Sequence, residues 1–552
     1  MNRLSALESA PFAGPWPRIL LSRWLLCGLG ALAFGWLSAA THEFASPDEA
    51  WFLQVVNRVE SGEMLYRDVY FGVTPLSVSL TRLMASLLGA EILVSRAVVM
   101  ASFFLTVIIC TALARRLRLT SGTRTLLVLG LLVYGISFPF PPPYTPLAVL
   151  FFVGSFLAAV VWCQDDRAGR GAIGKLAAAG FLGGFCFAAK QNLGIYALAA
   201  LLVSVLAKRR RSGEDVLRDA AVLVLAFFAA CVVALLPVWL GGGTDGLITY
   251  GFTSKGTYLE LGQVSHLAPL QRLWGAIHNP KPHVGFALFH WNLVFLLPPL
   301  VFALLLAAWV RGRFPDRSIA AILTAFVIAG YLVVYPRPGS SHVIYAVPVL
   351  LVGLGYAWGA LRPSIPLRLV RFAHLAAAVW LSAGLLLWGG RSAVHLLTDR
   401  YVFSTIPHFR GMLIQRDRHQ ALRQQAAALA RAVDGRPALL VGRDACFYYL
   451  AARVKNPSAF DFPYASVFGP FGQEEVIRGI RENRIRAVFL FFDPVDRQSP
   501  VRIQNYVRER MAPVRKEEFG VLYSFPSSFQ DESEMGASGA VERKVPPPTD
   551  QS

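Results

Sequence analysis

The chain has 552 residues, of which 55% are hydrophobic and only 16% charged, and it carries a net charge of +19. Soluble domains hold roughly 25% charged residues, whereas the apolar residues here run in blocks of about 20, enough to cross a hydrocarbon core of about 30 Å. An ordinary soluble protein is excluded, and the excess of Lys and Arg in short loops between apolar blocks argues for membrane topology rather than nucleic-acid binding.

In chain order, a short tail (1–18) leads into a first span near 19–41, which reads as a retained span because no clear small-residue cleavage site follows it. The segment from Asp48 to Val59 places Trp51, Phe52, Val55, Val56 and Val59 on one stripe, which predicts a helix against the membrane surface that stops near Gly62. The block 75–89 opens on Thr74-Pro75 and sets Leu76, Leu80, Leu83, Met84, Leu87 and Leu88 against Ser77, Ser79, Thr81, Arg82 and Ser86. That pattern predicts an interfacial helix rather than a span. Further spans follow near 92–113, 124–139, 145–163, 173–189, 191–207, 219–240, 286–310, 318–335, 342–361 and 370–390.

Loop charge fixes the topology. With 75–89 kept on the surface, the clusters Arg115/Arg116/Arg118, Arg167/Arg170/Lys175, Lys208/Arg209/Arg210/Arg211, Arg311/Arg313/Arg317 and Arg362/Arg368/Arg371 share one side. The positive-inside rule makes that side cytoplasmic. The expectation is a polytopic α-helical protein of about eleven transmembrane helices in the inner (plasma) membrane, with a cytoplasmic N-terminus. The Asp48 loop (42–91), the loop 241–285 and everything after about 390 then lie outside.

Residues 391–527 read as a small external α/β domain. Strands are expected at Ala438–Val441 and Ala487–Phe492 and a helix from Gln473 to Arg481, while 528–552 has the Ser-, Glu- and Pro-rich composition of a disordered tail. The six cysteines show no zinc or CxxC spacing. Within this domain Asp444 and Cys446 stand alone, and Tyr448-Tyr449 fits a packed helix.

The chemistry-bearing residues gather on the external side. Ser46-Pro47-Asp48-Glu49 fits an N-cap, an N1 proline and a capping-box acid at Glu49. Asp48 is not needed for that cap and is the stronger catalytic candidate of the two carboxylates. Lys190, Gln191 and Asn192 form one external turn, and Arg337 and His342 lie in another, against the prevailing charge rule. Such cations suit a lipid phosphate. A carboxylate facing them could take the proton from an acceptor hydroxyl. Tyr66, Arg67 and Asp68 follow in the same loop, where Asp68 either shapes the site or simply pairs with Arg67. A divalent cation on Asp48 and Glu49 is the metal alternative, although adjacent acids on a helix point apart. In 241–285, Lys255, Tyr258, Glu260, His266 and His278 are candidates for acceptor contact on an otherwise solvated loop. His42-Glu43 lacks a second histidine at zinc spacing.

A first span, Asp48-Glu49, Gly62-x-x-Leu65-Tyr66-Arg67-Asp68, Thr74-Pro75-Leu76, Lys190-Gln191-Asn192-x-Gly194 and Tyr335-Pro336-Arg337-Pro338…His342 occur in that order. Over roughly residues 19–390 this order resembles bacterial membrane glycosyltransferases of the GT-C superfamily, the family 39-like group that includes protein O-mannosyltransferases and aminoarabinose transferases. The resemblance implies a GT-C-like fold, a catalytic acid at Asp48 followed by Glu49, and a polyprenyl-phosphate-linked sugar donor. Many relatives carry Pro-Pro where this chain has Thr74-Pro75-Leu76. The acceptor, whether glycan, lipid or protein, stays open. A transporter or flippase for a lipid-linked or anionic solute is the rival class, but it predicts midplane charges and matched, broken halves that are not evident here. A membrane scaffold with a partner-binding external domain is the third.

Overall fold

The computed structural model describes residues 47–525 except 137–140, 166–169, 209–211, 254–264, 266, 336–339 and 463. The expected first span, His42-Glu43, Arg337, Lys255, Tyr258, Glu260, His266 and the 528–552 tail therefore lie outside the described residues.

Helix α1 (Pro47–Glu60) and helix α2 (Leu76–Leu88) precede a long series of apolar helices. These are α3 (Ile92–Arg116), α4 (Ser121–Ile136), α5 (Tyr144–Cys163), α6 (Arg170–Ala189), α7 (Gln191–Ala207) and α8 (Gly213–Leu240). After α9 (Thr244–Gly251) and α10 (Ala268–Ile277), α11 (Pro282–Asn292) runs through a 3-10 turn (Leu293–Leu296) into α12 (Leu297–Val310). Then come α13 (Arg317–Leu332), α14 (Ser340–Leu361) and α15 (Leu367–Leu397). Among the described residues, seven helical runs are long and apolar enough to cross a membrane, and four shorter apolar helices accompany them. The seven and three of the four coincide with the spans expected after residue 41; the fourth is α2.

Helix α1 differs from its expected setting, whereas α2 keeps the interfacial character expected of it. Ten of the 14 residues of α1 are buried, Glu49, Gln54 and Arg58 among them, so this helix is embedded in protein rather than resting one face on a membrane surface. Helix α2 buries Ser77, Val78, Thr81 and Ala85 and leaves Leu83, Leu87 and Leu88 exposed. Polar groups inside and leucines outside suit a helix whose outer face meets lipid. The 241–285 region, expected as a solvated loop, holds α9 and α10, and α10 exposes Leu270, Trp274 and Ile277.

Small residues set the helix packing. A Cβ on Gly180 would stand 2.3 Å from Leu223 O, and one on Gly184 2.2 Å from Phe227 O, so α6 and α8 touch backbone to backbone through a small-xxx-small pair. Gly194 plays the same part at the start of α7, where a Cβ would come within 2.1 Å of Phe187 Cα.

After α15 a hairpin forms from β1 (Tyr401–Phe403) and β2 (Leu413–Gln415), paired antiparallel. The hairpin returns to the start of α3: Ile92 N–H donates to His408 O (2.8 Å), His408 Nδ1 lies 2.6 Å from Ala90 O, and Arg410 N–H donates to Glu91 Oε2 (3.2 Å). The segment that follows α15 thus lies beside the start of α3.

Contacts divide the chain into a unit carrying the helices through Gln420 and a second unit from Ala421 onward. Helix α16 (Arg416–Val433) crosses that boundary. Beyond it lie β3 (Leu439–Val441), α17 (Ala445–Ala451), α18 (Ala465–Arg481), β4 (Ala487–Phe491), α19 (Val501–Arg510), β5 (Ala512–Glu517) and β6 (Gly520–Ser524). The sheet order is β3-β4-β6-β5, with β3 and β4 parallel, Leu440 opposite Phe489, and β6 antiparallel to both its neighbours. Every residue of β3 and β4 is buried, as their unbroken apolar runs require. These strands and helices give the C-terminal region its expected α/β character. Tyr448 and Tyr449 are buried on α17, and Cys446 Sγ sits 2.9 Å from Asp461 O, so both features serve the domain core.

Candidate active site

Helix α1 is fixed at its start by Glu49. Its carboxylate accepts from Arg96 Nε (2.7 Å) and Arg96 Nη2 (3.0 Å), and the two side chains are 3% and 1% exposed. Ser46, the other half of the expected cap, lies outside the described residues. What the structure assigns Glu49 is a buried ion pair to the first turn of α3, which occupies both its oxygens. Asp48, one residue earlier, is only half-buried in the first turn of α1, where the positive helix end favours its charge.

The loop after α1 is shaped by its own polar groups. Gly62 takes φ +100° at the helix end and Tyr66 takes φ +70° in the turn that follows. Arg58 Nη2 reaches Glu63 (2.5 Å) and Asp68 O (3.1 Å), and Asp68 Oδ2 accepts from Met64 N–H (2.8 Å). Asp68 also pairs with Arg67, at 3.0 and 2.7 Å. This hydrogen-bonded partner holds the Asp68 carboxyl below its usual value and raises the guanidinium of Arg67 above its own. Tyr66 is buried, its hydroxyl donates to Val73 O, and burial pushes its phenol well up. Tyr66, Arg67 and Asp68, expected to meet substrate, are thus engaged in closing the loop on itself.

Aromatic packing carries this loop toward the α6–α7 turn. Phe71 contacts Trp51 (5.4 Å between centroids), Phe52, Tyr66 and Tyr144, and Phe52, one turn after Asp48, also lies 6.4 Å from Tyr144. Tyr144, at the start of α5, in turn flanks Lys190. The Lys190 ammonium lies 5.6 Å from the Tyr144 ring centroid and 5.5 Å from that of Tyr345, and it donates to Thr145 Oγ1 (3.1 Å). His342 sets its ring edge-on to Tyr345 at 6.3 Å. Asn192 Oδ1 accepts from Leu193 N–H (2.9 Å) and is half-buried beside this turn. Gln191 bonds to backbone at Gly72, Thr74 and Gly251.

An apolar cleft adjoins Lys190. Val99, Phe103 and Thr106 of α3, Leu131 and Gly135 of α4, Pro146 and Val149 of α5, and Ile344, Tyr345 and Val347 of α14 line about 560 Å³ of empty space, part of it open. Tyr345 belongs to both features: one side of the tyrosine faces the cation and its side chain also walls the cleft. Among the described residues no three His, Cys, Asp or Glu side chains gather at metal-ligand distance.

Of the residues the sequence pointed to on one side, Lys190 and His342 both meet Tyr345, and Lys190 also meets Tyr144; Gln191 bonds to other backbone, and Arg337 lies outside the described residues. Arg96, Tyr144, Thr145 and Tyr345 were not singled out. For Arg96 a signal existed: an arginine in the first turn of an apolar span, on the sparsely charged side, asks for a partner.

No protein-family model and no curated protein matches this sequence. Solved structures do. ArnT from Cupriavidus metallidurans in the apo state superposes with a TM-score of 0.57 at 15% identity, covering 92% of this chain and 99% of that one. The same protein bound to undecaprenyl phosphate gives 0.56 at 14% identity over the same shares. An Archaeoglobus fulgidus oligosaccharyltransferase in complex with Zn and sulfate gives 0.50 at 11% identity, over 84% of this chain and 67% of that one. At such identities the likeness is one of architecture, and this chain has the GT-C fold of these membrane glycosyltransferases.

Proposed function

We propose that this protein is a glycosyltransferase that moves a sugar from a polyprenyl-phosphate donor to an acceptor hydroxyl on the external face of the membrane. One observation carries the reading: a cation, Lys190, sits beside an apolar cleft and shares Tyr345 with it. A lipid phosphate is anionic at one end and apolar at the other, which is the chemistry this pair of features would take. The undecaprenyl phosphate bound by ArnT of Cupriavidus metallidurans supports the donor class.

In this reading Lys190 meets the phosphate and the cleft takes the first isoprene units. Asp48 removes the proton from the acceptor hydroxyl as its oxygen attacks the anomeric carbon. The new glycosidic C–O bond forms while the bond from the anomeric carbon to the phosphate oxygen breaks, and polyprenyl phosphate leaves with the electron pair. Lys190 offsets the charge that develops on that oxygen. Arg337, five residues before His342 in the sequence, would add a second cation. The distribution of basic loops supports an external setting for this chemistry.

The reading is tested with purified protein in proteoliposomes supplied with a polyprenyl-phosphate sugar. Donor-dependent glycosylation of an acceptor, lost in Asp48→Asn, is the expected result. Transfer by well-folded Asp48→Asn at the native rate would remove Asp48 from the mechanism. Mass spectrometry of glycans and glycolipids from a strain lacking the protein would identify the acceptor.

A further inference from the structure

Gln191 follows Lys190 directly, and its side-chain amide is spent on the protein's own backbone. Nε2 donates to Gly72 O (3.2 Å) and to Gly251 O (2.9 Å), and Oε1 faces Thr74 N–H at 3.4 Å. Beside it, Thr74 Oγ1 donates to Phe187 O (2.6 Å) in the last turn of α6. Three segments distant in sequence therefore meet on one amide: the loop that descends from the Asp48 helix, the C-terminal end of α9, and the turn that carries Lys190.

The surroundings show the same junction. Helix α9 lies against the first loop so closely that a Cβ on Gly243 would stand 2.5 Å from Leu65 O, and one on Gly246 2.0 Å from Tyr66 O. Tyr250 packs on Tyr70 at 4.9 Å between centroids. The carbonyls of Gly72 and Gly251 need donors where they are buried, and one primary amide supplies both. Glutamate offers no donor, and asparagine is a methylene too short for the same reach.

We infer that Gln191 is a positioning residue, holding the Asp48-bearing loop and α9 in one register with the Lys190 turn. Its catalytic consequence rests on the proposed function, because the spacing it fixes is that between the base and the phosphate-binding cation. Small displacements of reacting groups are costly, about a hundredfold in rate for roughly 1 Å.

The test compares Gln191→Ala, Gln191→Glu and Thr74→Val with Lys190→Met in full-length protein in proteoliposomes, assayed with a polyprenyl-phosphate sugar and followed by hydrogen exchange. For the Gln191 variants we expect kcat to fall roughly 10- to 100-fold with KM for the donor held within about twofold, and exchange to rise together at 72–74 and 244–251. Lys190→Met should instead raise KM and leave that exchange unchanged. Thr74→Val, which removes only the bond to Phe187, should show a smaller loss of the same kind and covers the case in which Gln191→Ala does not fold. Unchanged exchange at both segments, or a donor KM that rises while kcat stays native, overturns the inference. Wild-type protein that neither binds nor uses the donor sinks the proposed function instead, and the exchange readout still decides the clamp.

Discussion

Glu49 and Arg96 form a bidentate ion pair with almost no solvent access, and through it the helix bearing Asp48 is bolted to the first turn of α3. Of the two neighbouring carboxylates, the one at Glu49 has a structural part, holding α1 to α3. Breaking a buried pair strands a charge, at about 3–5 kcal/mol, whereas replacing both partners by apolar groups of similar volume is often close to neutral. Glu49→Ala and Arg96→Ala are each expected to lower thermal stability sharply in detergent, and Glu49→Leu/Arg96→Met to recover most of it. Equal stability of the single variants and the wild type would show that the pair does not hold α1.

Asp48→Asn keeps the shape and removes the proposed base. Loss of a general base typically costs 100- to 10,000-fold, about 3–5 kcal/mol in the barrier. The expected outcome is a fall of that size in kcat, with donor binding and melting temperature at wild-type values. Isothermal titration with polyprenyl phosphate, run beside the transfer assay, separates the two.

Lys190→Met preserves the aliphatic stem and removes the ammonium between Tyr144 and Tyr345. A hydrogen bond to a charged group contributes about 1.5–3 kcal/mol, so the affinity for polyprenyl phosphate should drop roughly 10- to 100-fold. An unreactive polyprenol, which lacks the phosphate, should bind wild type and variant alike. If the phosphate-bearing lipid also binds both equally, Lys190 does not meet the headgroup.

Asp68 makes the first loop sensitive to acid. Its carboxyl titrates below the usual value because Arg67 is bonded to it, and an unfolded-state aspartate titrates near 3.9, roughly. The folded state thus prefers the ionised form, so its contribution is complete above about pH 4 and is lost as pH falls through the lower native value. Hydrogen exchange at 61–70 should therefore rise on acidification below about pH 4. In Asp68→Asn that exchange should already be raised at neutral pH and should respond little to acid.

Two glycines in the same helical pair should respond oppositely to alanine. Gly194→Ala places a Cβ 2.1 Å from Phe187 Cα, a backbone contact that cannot yield cheaply, and overpacking of this kind costs about 1–3 kcal/mol or more. Gly174→Ala meets nothing within 4 Å and replaces glycine in a helix interior, a gain of up to about 1 kcal/mol. Melting temperatures in detergent report both signs.

The membrane helices were legible because their signal is local: blocks of about 20 apolar residues and loops biased toward Lys and Arg constrain spans and sidedness without any knowledge of packing. The same holds for α2, where helical spacing separates leucines from serines, and for the buried strands β3 and β4, whose apolar runs leave little other choice. The reach of the functional pattern was also set locally, since Asp48, Lys190, Gln191 and His342 stand out as polar groups at the ends of spans. What each does was decided by residues brought in from elsewhere. Glu49 looked like half of a cap until Arg96, 47 positions later, took both its oxygens. Gln191 looked like a ligand for substrate, yet its amide is consumed by Gly72, Thr74 and Gly251. Lys190 gains its character from Tyr144, Thr145 and Tyr345, on two other helices. A side chain's chemistry can be read from its type; whether that chemistry is free to act depends on which distant partners satisfy it, and only the packed helices determine that.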